Sequence, residues 1–183
     1  MSISGIGVAV SNVNYYNSKL NRNTNQVSDS FSTTSCINLY MSDGDTKESA
    51  LTSVGFPDGG SVSVFKADGY SEENPQYTVI HWDENGEEKK YNINLRQVNP
   101  ENASYLEMLA YSTYLDISGQ TPNAFGDFIN AAGGVNGDLK YDATNINIKM
   151  DFKTLVKEFM QSQYSSGNLT GYLSLKRFWD CMD

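Results

Sequence analysis

The chain holds one histidine, His81, and two cysteines, Cys36 and Cys181. An imidazole beside a thiol is a minimal pair for nucleophilic catalysis, because the base takes the proton and leaves a thiolate. The sequence gives that chemistry little support. No nucleophile motif surrounds either cysteine, and His81 lies in Tyr-Thr-Val-Ile-His-Trp, a β-prone run. A lone histidine on such a strand reads as structural. No Cys-x-x-Cys or Cys/His cluster exists, so no zinc site is expected. Two buried free thiols are expected, with a Cys36–Cys181 disulfide left open by the sequence.

The acids are no more directive. Asp43, Asp45 and Glu48 make a loose acidic loop without the central glycine and terminal glutamate of an EF-hand. It reads as a solvated turn, not a metal site. A carboxylate pair for glycoside hydrolysis cannot be chosen from spacing; Asp116, Asp127 and Asp142 are equivalent candidates. Gly133-Gly134-Val135-Asn136-Gly137 matches neither the phosphate-cradling loop nor the dinucleotide fingerprint and reads as a linker. No cofactor is expected.

Aromatic residues are the more suggestive set. There are 12 tyrosines, and Tyr105, Tyr111, Tyr114, Tyr164, Tyr172 and Trp179 could present amphipathic rings at a contact surface. The alternative is that the rings fill the core. Trp82, Tyr111, Tyr114 and Tyr172 are the binding candidates taken forward. Lys89-Lys90 and Lys176-Arg177 are dipeptides rather than a basic patch, so stacking on single-stranded nucleic acid lacks its electrostatic half. The net charge of −9 also opposes nucleic acid and anionic lipid, which require clustered cations.

The elements that must position these residues follow from pattern. Residues 11–35 are dominated by Ser, Asn, Thr and Gln, with too few apolar side chains to offset the entropy of ordering the backbone. Residues 1–35 therefore read as a flexible polar tail, and 36–183 as one domain. Ile3 to Val10 lacks a basic flank, so a secretory signal peptide is not supported. The default compartment is cytoplasmic, with non-classical export through the tail as the alternative. No apolar run approaches the roughly 18 residues that cross a membrane.

Strands are expected at 36–41, 61–66, 76–83 and 87–95, with 46–60 ambiguous. Asp83-Glu84-Asn85-Gly86 joins the last two as a hairpin. A two-residue Asn85-Gly86 turn would send Ile80 and Trp82 to the core. A type I turn with a bulge at Gly86 sends Tyr77, Val79 and His81 there instead, and fits Asp and Gly at their preferred positions. The second register is preferred. Asn99-Pro100-Glu101 predicts a helix start, continuing to Ser118. Thr121-Pro122 repeats the signal for a shorter helix ending at Gly133-Gly134, before a connector over 133–148. Phe152, Leu155, Val156, Phe159 and Met160 form one helical stripe. A last helix follows with Tyr172, Leu173, Leu175, Phe178 and Trp179, antiparallel to it and part of the core.

Ser-Val-Ser-Val-Phe-Lys at 61–66 and Asn-Pro-Gln-Tyr-Thr-Val-Ile-His-Trp-Asp at 74–83 resemble a family of short uncharacterised proteins from anaerobic Gram-positive (Firmicutes-type) bacteria. So do the segments Val98–Gly119 and Met160–Asp180. The resemblance covers roughly 36–183, with a looser match at the N-terminal Ile-Ser-Gly, and implies one unit behind a variable polar leader. That family has no assigned activity, so the resemblance implies no catalytic residue.

Strands first and helices after predict an α+β fold, a small mainly antiparallel sheet of three to four strands packed against C-terminal helices. The function expected is a non-enzymatic binding module that meets a protein partner through exposed aromatics. The alternative is a hydrolase-like enzyme using His81 or a carboxylate pair.

Overall fold

The computed structural model describes residues 39–41 and 49–183. The expectations for the 1–35 tail, for Cys36 and for Asp43, Asp45 and Glu48 lie outside the described residues.

The chain is α+β. Strands β1 (Leu39–Met41), β2 (Thr52–Gly55), β3 (Ser61–Lys66), β4 (Gln76–Trp82) and β5 (Glu88–Asn94) form one antiparallel sheet in sequence order. Helices α1 (Tyr105–Ile117), α2 (Ala124–Ala132), α3 (Phe152–Ser165) and α4 (Leu169–Asp180) follow. The strand expected at 61–66 has those bounds, those expected at 76–83 and 87–95 are shorter by one and two residues, β1 falls within the expected 36–41, and β2 adds a fifth within the ambiguous segment. β2 is short, and one of its two inward residues is polar. Thr52 pairs with Val64 of β3 and hydrogen-bonds Thr113 of α1 at 2.8 Å. Thr113 donates to the Leu109 carbonyl, so Thr52 is the donor between the two hydroxyls. A buried hydroxyl satisfied 61 residues away is invisible to local pattern.

The hairpin adopts the bulged register. Tyr77 faces Ile93, Val79 faces Tyr91 and His81 faces Lys89. Tyr77, Val79 and His81 are buried, while Gln76, Thr78, Ile80 and Trp82 alternate on the other face. The cause is the turn. Gly86 N–H donates to the Asp83 carbonyl, Asp83 Oδ1 accepts from Asn85 and Glu87 N–H, and Gly86 holds φ +81°. A side chain at Gly86 would resist that left-handed backbone.

The first helix begins later than Asn99-Pro100-Glu101 predicts. Those residues make a turn instead: Asn99 Oδ1 accepts from Glu101 N–H, and the Asn99 carbonyl from Asn102 N–H. The Pro100 carbonyl then accepts from Phe152 and Lys153 N–H, satisfying donors that the start of α3 leaves unpaired. The real start is a capping box. Ser104 accepts from Glu107 N–H, and Glu107 Oε2 accepts from Ser104 N–H at 2.7 Å.

Helix α1 lies on β3 and β4. Helix α2 packs between α1 and the α3–α4 pair, so the helical layer builds outward from the sheet. One apolar cluster joins Val62, Val64, Tyr77 and Val79 of the sheet to Leu106 and Leu109 of α1, Phe125 and Phe128 of α2, Phe152 and Val156 of α3, and Leu175 and Phe178 of α4. The terminal helix pair is thus part of the core. The 133–148 connector also contributes: Ile146 is buried, and Tyr141 stacks on Tyr105 while its hydroxyl donates to the Ala132 carbonyl.

Phe152 is fully enclosed, edge-on to Phe128 with centroids 5.5 Å apart. Phe152→Ala is expected to cost about 3–5 kcal/mol of folding stability. Denaturant unfolding followed by circular dichroism checks this; a loss below about 1 kcal/mol would show that α3 does not anchor the core.

Candidate functional site

His81 is only 2% exposed, on the helix-facing side of β4 and edge-on to Phe56 with centroids 6.4 Å apart. No side chain among the described residues hydrogen-bonds its imidazole. Burial pushes its pKa down, aided by Lys89, so the ring is neutral at pH 7. Cys181, a half-buried free thiol, is elsewhere, with its Sγ 2.9 Å from Thr121 Oγ1. The described residues therefore assemble no Cys–His pair.

Of the aromatic candidates, Trp82 is half-buried at the end of β4, on the sheet face turned away from the helices. Tyr111 and Tyr114 lie on α1. The Tyr111 hydroxyl donates to the Cys181 carbonyl at 2.5 Å, and Tyr114 meets Tyr77 edge-on. Both rings pack against the core. Tyr172 lies on α4 beside Tyr164, with centroids 5.3 Å apart. These four residues do not form one patch. Tyr105, expected among the contact-surface rings, is instead buried in the middle of the core. Trp179 is half-buried, its ring beneath Lys153 Nζ at 5.4 Å.

Among the described residues, large exposed apolar side chains lie on the connector, at Val135 and Ile148, and on the α3–α4 pair. Tyr164 is 61% exposed, Leu169 56% and Leu173 55%. The helix pair is set by local sequence. Asp151 caps α3 by accepting from Thr154 N–H, and Asn168 caps α4 by accepting from Gly171 N–H. Gly167, at φ +80°, turns the chain between them. Along α4, Leu175, Phe178 and Trp179 turn toward the body, and Leu169 and Leu173 turn out.

A partly buried polar network ties three helices together. Asp116, near the end of α1, accepts from Asn123 and Phe125 N–H at the start of α2. It supplies the cap that Thr121-Pro122 was expected to provide; Asn123, at φ +68°, makes no side-chain cap bond. Asn123 Nδ2 donates to Asp127 Oδ1 at 3.0 Å, and Ser174 of α4 donates to Asp127 Oδ2 at 2.7 Å. Of the three carboxylate candidates, Asp116 and Asp127 are thus brought together through Asn123. Asp142 is separate and bound to Thr144. Asp127 is 4% exposed. Burial raises its pKa to about 6, against the opposing bonds from Ser174 and Asn123 and the charge of Arg177, and with a further push from Asp116.

Two clefts remain. One of about 80 Å³ lies between the β2–β3 turn and α2, lined by apolar groups including Phe56, Tyr105, Ile129 and Tyr141. Ligand sites usually span about 300–1,000 Å³, so it is small for a metabolite. The other, about 240 Å³, is lined by Asp58, Asp83, Glu84 and Asp142. Asp58, Asp83 and Asp142 each already accept a bond from a nearby backbone N–H. Among the described residues no group of three or more His, Cys, Asp or Glu is placed to hold a metal ion. Among them, too, no helix is long and apolar enough to cross a membrane. Lys90 pairs with Glu88 and Lys176 with Asp180, leaving neither dipeptide as a basic patch.

No family model matches the chain, and no curated protein or solved structure shows significant similarity to it.

Asp127 makes a pH prediction. Its folded pKa of about 6 exceeds the ordinary 3.8, so between those values the native state holds the extra proton. Stability therefore falls as pH rises through that window, by on the order of 2–3 kcal/mol, and the loss is complete above it. Asp127→Asn removes the charge and keeps an acceptor for Ser174. A flip of the Asn123 amide then offers its otherwise unpartnered Oδ1 to the new donor. The variant is expected to be more stable than the parent at pH 7 and to lose that advantage near pH 4. Denaturation midpoints across pH 4–8 check this; parallel curves for the two proteins would refute it.

Proposed function

We propose that the protein is a non-enzymatic interaction module that contacts a protein partner through the outer face of the α3–α4 pair. The observation that supports this best is the joint exposure of Tyr164, Leu169 and Leu173 on two well-capped helices whose other faces are built into the core. Single exposed apolar residues are ordinary; three large ones on one rigid helical pair fit an interaction surface. Tyr172 packs its ring against Tyr164, with centroids 5.3 Å apart, and joins the two helices at this end. The acidic balance of the chain favours a protein partner over nucleic acid or anionic membrane.

The hydrolase-like reading draws less support. Nucleophilic or acid–base work needs a titratable group open to substrate and oriented by a partner. His81 is enclosed without a polar partner among the described residues, and the Asp116–Asp127 pair is occupied by helix-capping and inter-helix bonds.

A photo-reactive residue placed at Leu173 of the full chain tests the proposal, with Asn92 on the opposite sheet face as control. A recurrent adduct at 173, identified by its peptides and lost on Leu169→Glu, is expected. Equal labelling at 173 and 92, or no adduct at 173, would end this reading.

A further inference from the structure

We infer that the two clefts form one binding site for a small arylalkylamine, an organic ammonium ion that carries a single apolar ring. The clefts share both walls. The β2–β3 turn gives Phe56 and Pro57 to the smaller and Asp58 to the larger. The connector gives Lys140 and Tyr141 to the smaller and Asp142 to the larger. Neighbouring residues lie only about 3.8 Å apart along a chain, so a short molecule reaches both clefts. Each is small by itself, but joined they reach the lower end of the roughly 300–1,000 Å³ that ligand sites span. None of these residues lies on the α3–α4 face, so this site stands independently of the interaction surface.

The smaller cleft supplies an apolar slot with one open polar contact. Tyr105 lines it and is 4% exposed, and its hydroxyl bonds to no group among the described residues. A buried tyrosine hydroxyl ordinarily finds a partner, and a polar atom on the ring of a ligand meets that need. Phe56 and Tyr141, both in ring contact with Tyr105, make the slot aromatic. The larger cleft supplies charge. Asp58, Asp83 and Asp142 each accept a backbone N–H through Oδ1, which orients the carboxylate and leaves Oδ2 without a donor among the described residues. The Glu87 N–H holds the Asp83 carboxyl below its usual range and the Thr144 hydroxyl does so for Asp142, so both are charged at neutral pH. Glu84 adds a further acid. Lys140 lines the slot and Lys89 acts on Asp83, which leaves the acids in excess. Among the described residues the acids are not grouped to hold a bare metal ion. Their separated free oxygens suit an ammonium, which donates hydrogen bonds in several directions.

Amide NMR titration of the full chain with tyramine tests this. Saturable shifts confined to the β2–β3 turn, the hairpin turn and the connector are expected, with a dissociation constant in the millimolar range or below. Phenethylamine, which lacks the phenol, should bind more weakly than tyramine, and Tyr105→Phe should erase that difference while keeping the ring. Tyrosine, which adds a carboxylate that the acids repel, should bind about tenfold more weakly than tyramine. Added salt should weaken tyramine but not p-cresol, which has no charge to screen. Asp58→Asn and Asp142→Asn should each weaken tyramine by about two- to fivefold and leave p-cresol unchanged. Asparagine keeps the Oδ1 that accepts each turn bond, so the spectrum away from the clefts should not move. Tyramine without saturable shifts at these segments overturns the inference. Binding indifferent to salt and to both substitutions overturns it as well, as does a preference for tyramine over phenethylamine that survives Tyr105→Phe.

Discussion

Tyr105 stacks on Tyr141 with centroids 4.2 Å apart and touches Phe128 at 5.3 Å and Phe56 at 6.0 Å. Phe128 in turn meets Phe152. This chain of rings is the contact that the rest of the molecule depends on. Phe56 belongs to the turn after β2, Tyr105 to α1, Phe128 to α2, Tyr141 to the connector and Phe152 to α3. Five segments otherwise separated by loops are held by one aromatic cluster, each pair adding about 0.5–1.5 kcal/mol beyond area burial. Burial also drives the Tyr105 phenol far above its ordinary pKa, so the ring stays neutral.

The cluster explains why the outer helices can serve as a rigid platform. α3 enters the core through Phe152 and Val156, and α4 through Leu175 and Phe178. Ser174 and Asp127 add a directional bond between α4 and α2. With their inner faces committed, the helices still carry Leu169, Leu173 and Tyr164 outward. The apolar content of α4 exceeds what its inner face can bury, and that surplus is the basis of the functional reading.

Much of the fold was legible locally. Alternation in β4 and the Asp-Glu-Asn-Gly turn specified the hairpin register, because a one-residue slip would have exposed Tyr77 and Val79. The stripe of Phe152, Leu155, Val156, Phe159 and Met160 marked α3 because one face alone meets the core. Helix α1 was harder. It is buried on most sides, so its apolar residues form no narrow stripe, and the Asn99-Pro100 signal drew its start too early. Ser104-Tyr105-Leu106-Glu107 carried the better capping signal. The candidate surface was only partly legible. Tyr172 and Tyr164 were singled out as aromatics, but Leu169 and Leu173 lie on a helix where aliphatic residues normally mean core. Only the tertiary packing of Leu175 and Phe178 shows which side of α4 faces inward. The Asp116–Asn123–Asp127–Ser174 network was unreadable, since its members are scattered over 59 positions and joined only by folding.

The two tryptophans offer the most direct measurement of the central claim, that ring contacts make sheet and terminal arm one cooperative body. Trp82 reports on β4 and Trp179 on α4. Denaturant unfolding of Trp82→Phe and Trp179→Phe, each read by the remaining tryptophan's fluorescence and by circular dichroism, compares the two regions. The account predicts coincident transitions for the two probes within each protein. A Trp179 signal that changes at lower denaturant than the circular dichroism of the same protein would show the arm detaching alone, and would contradict it.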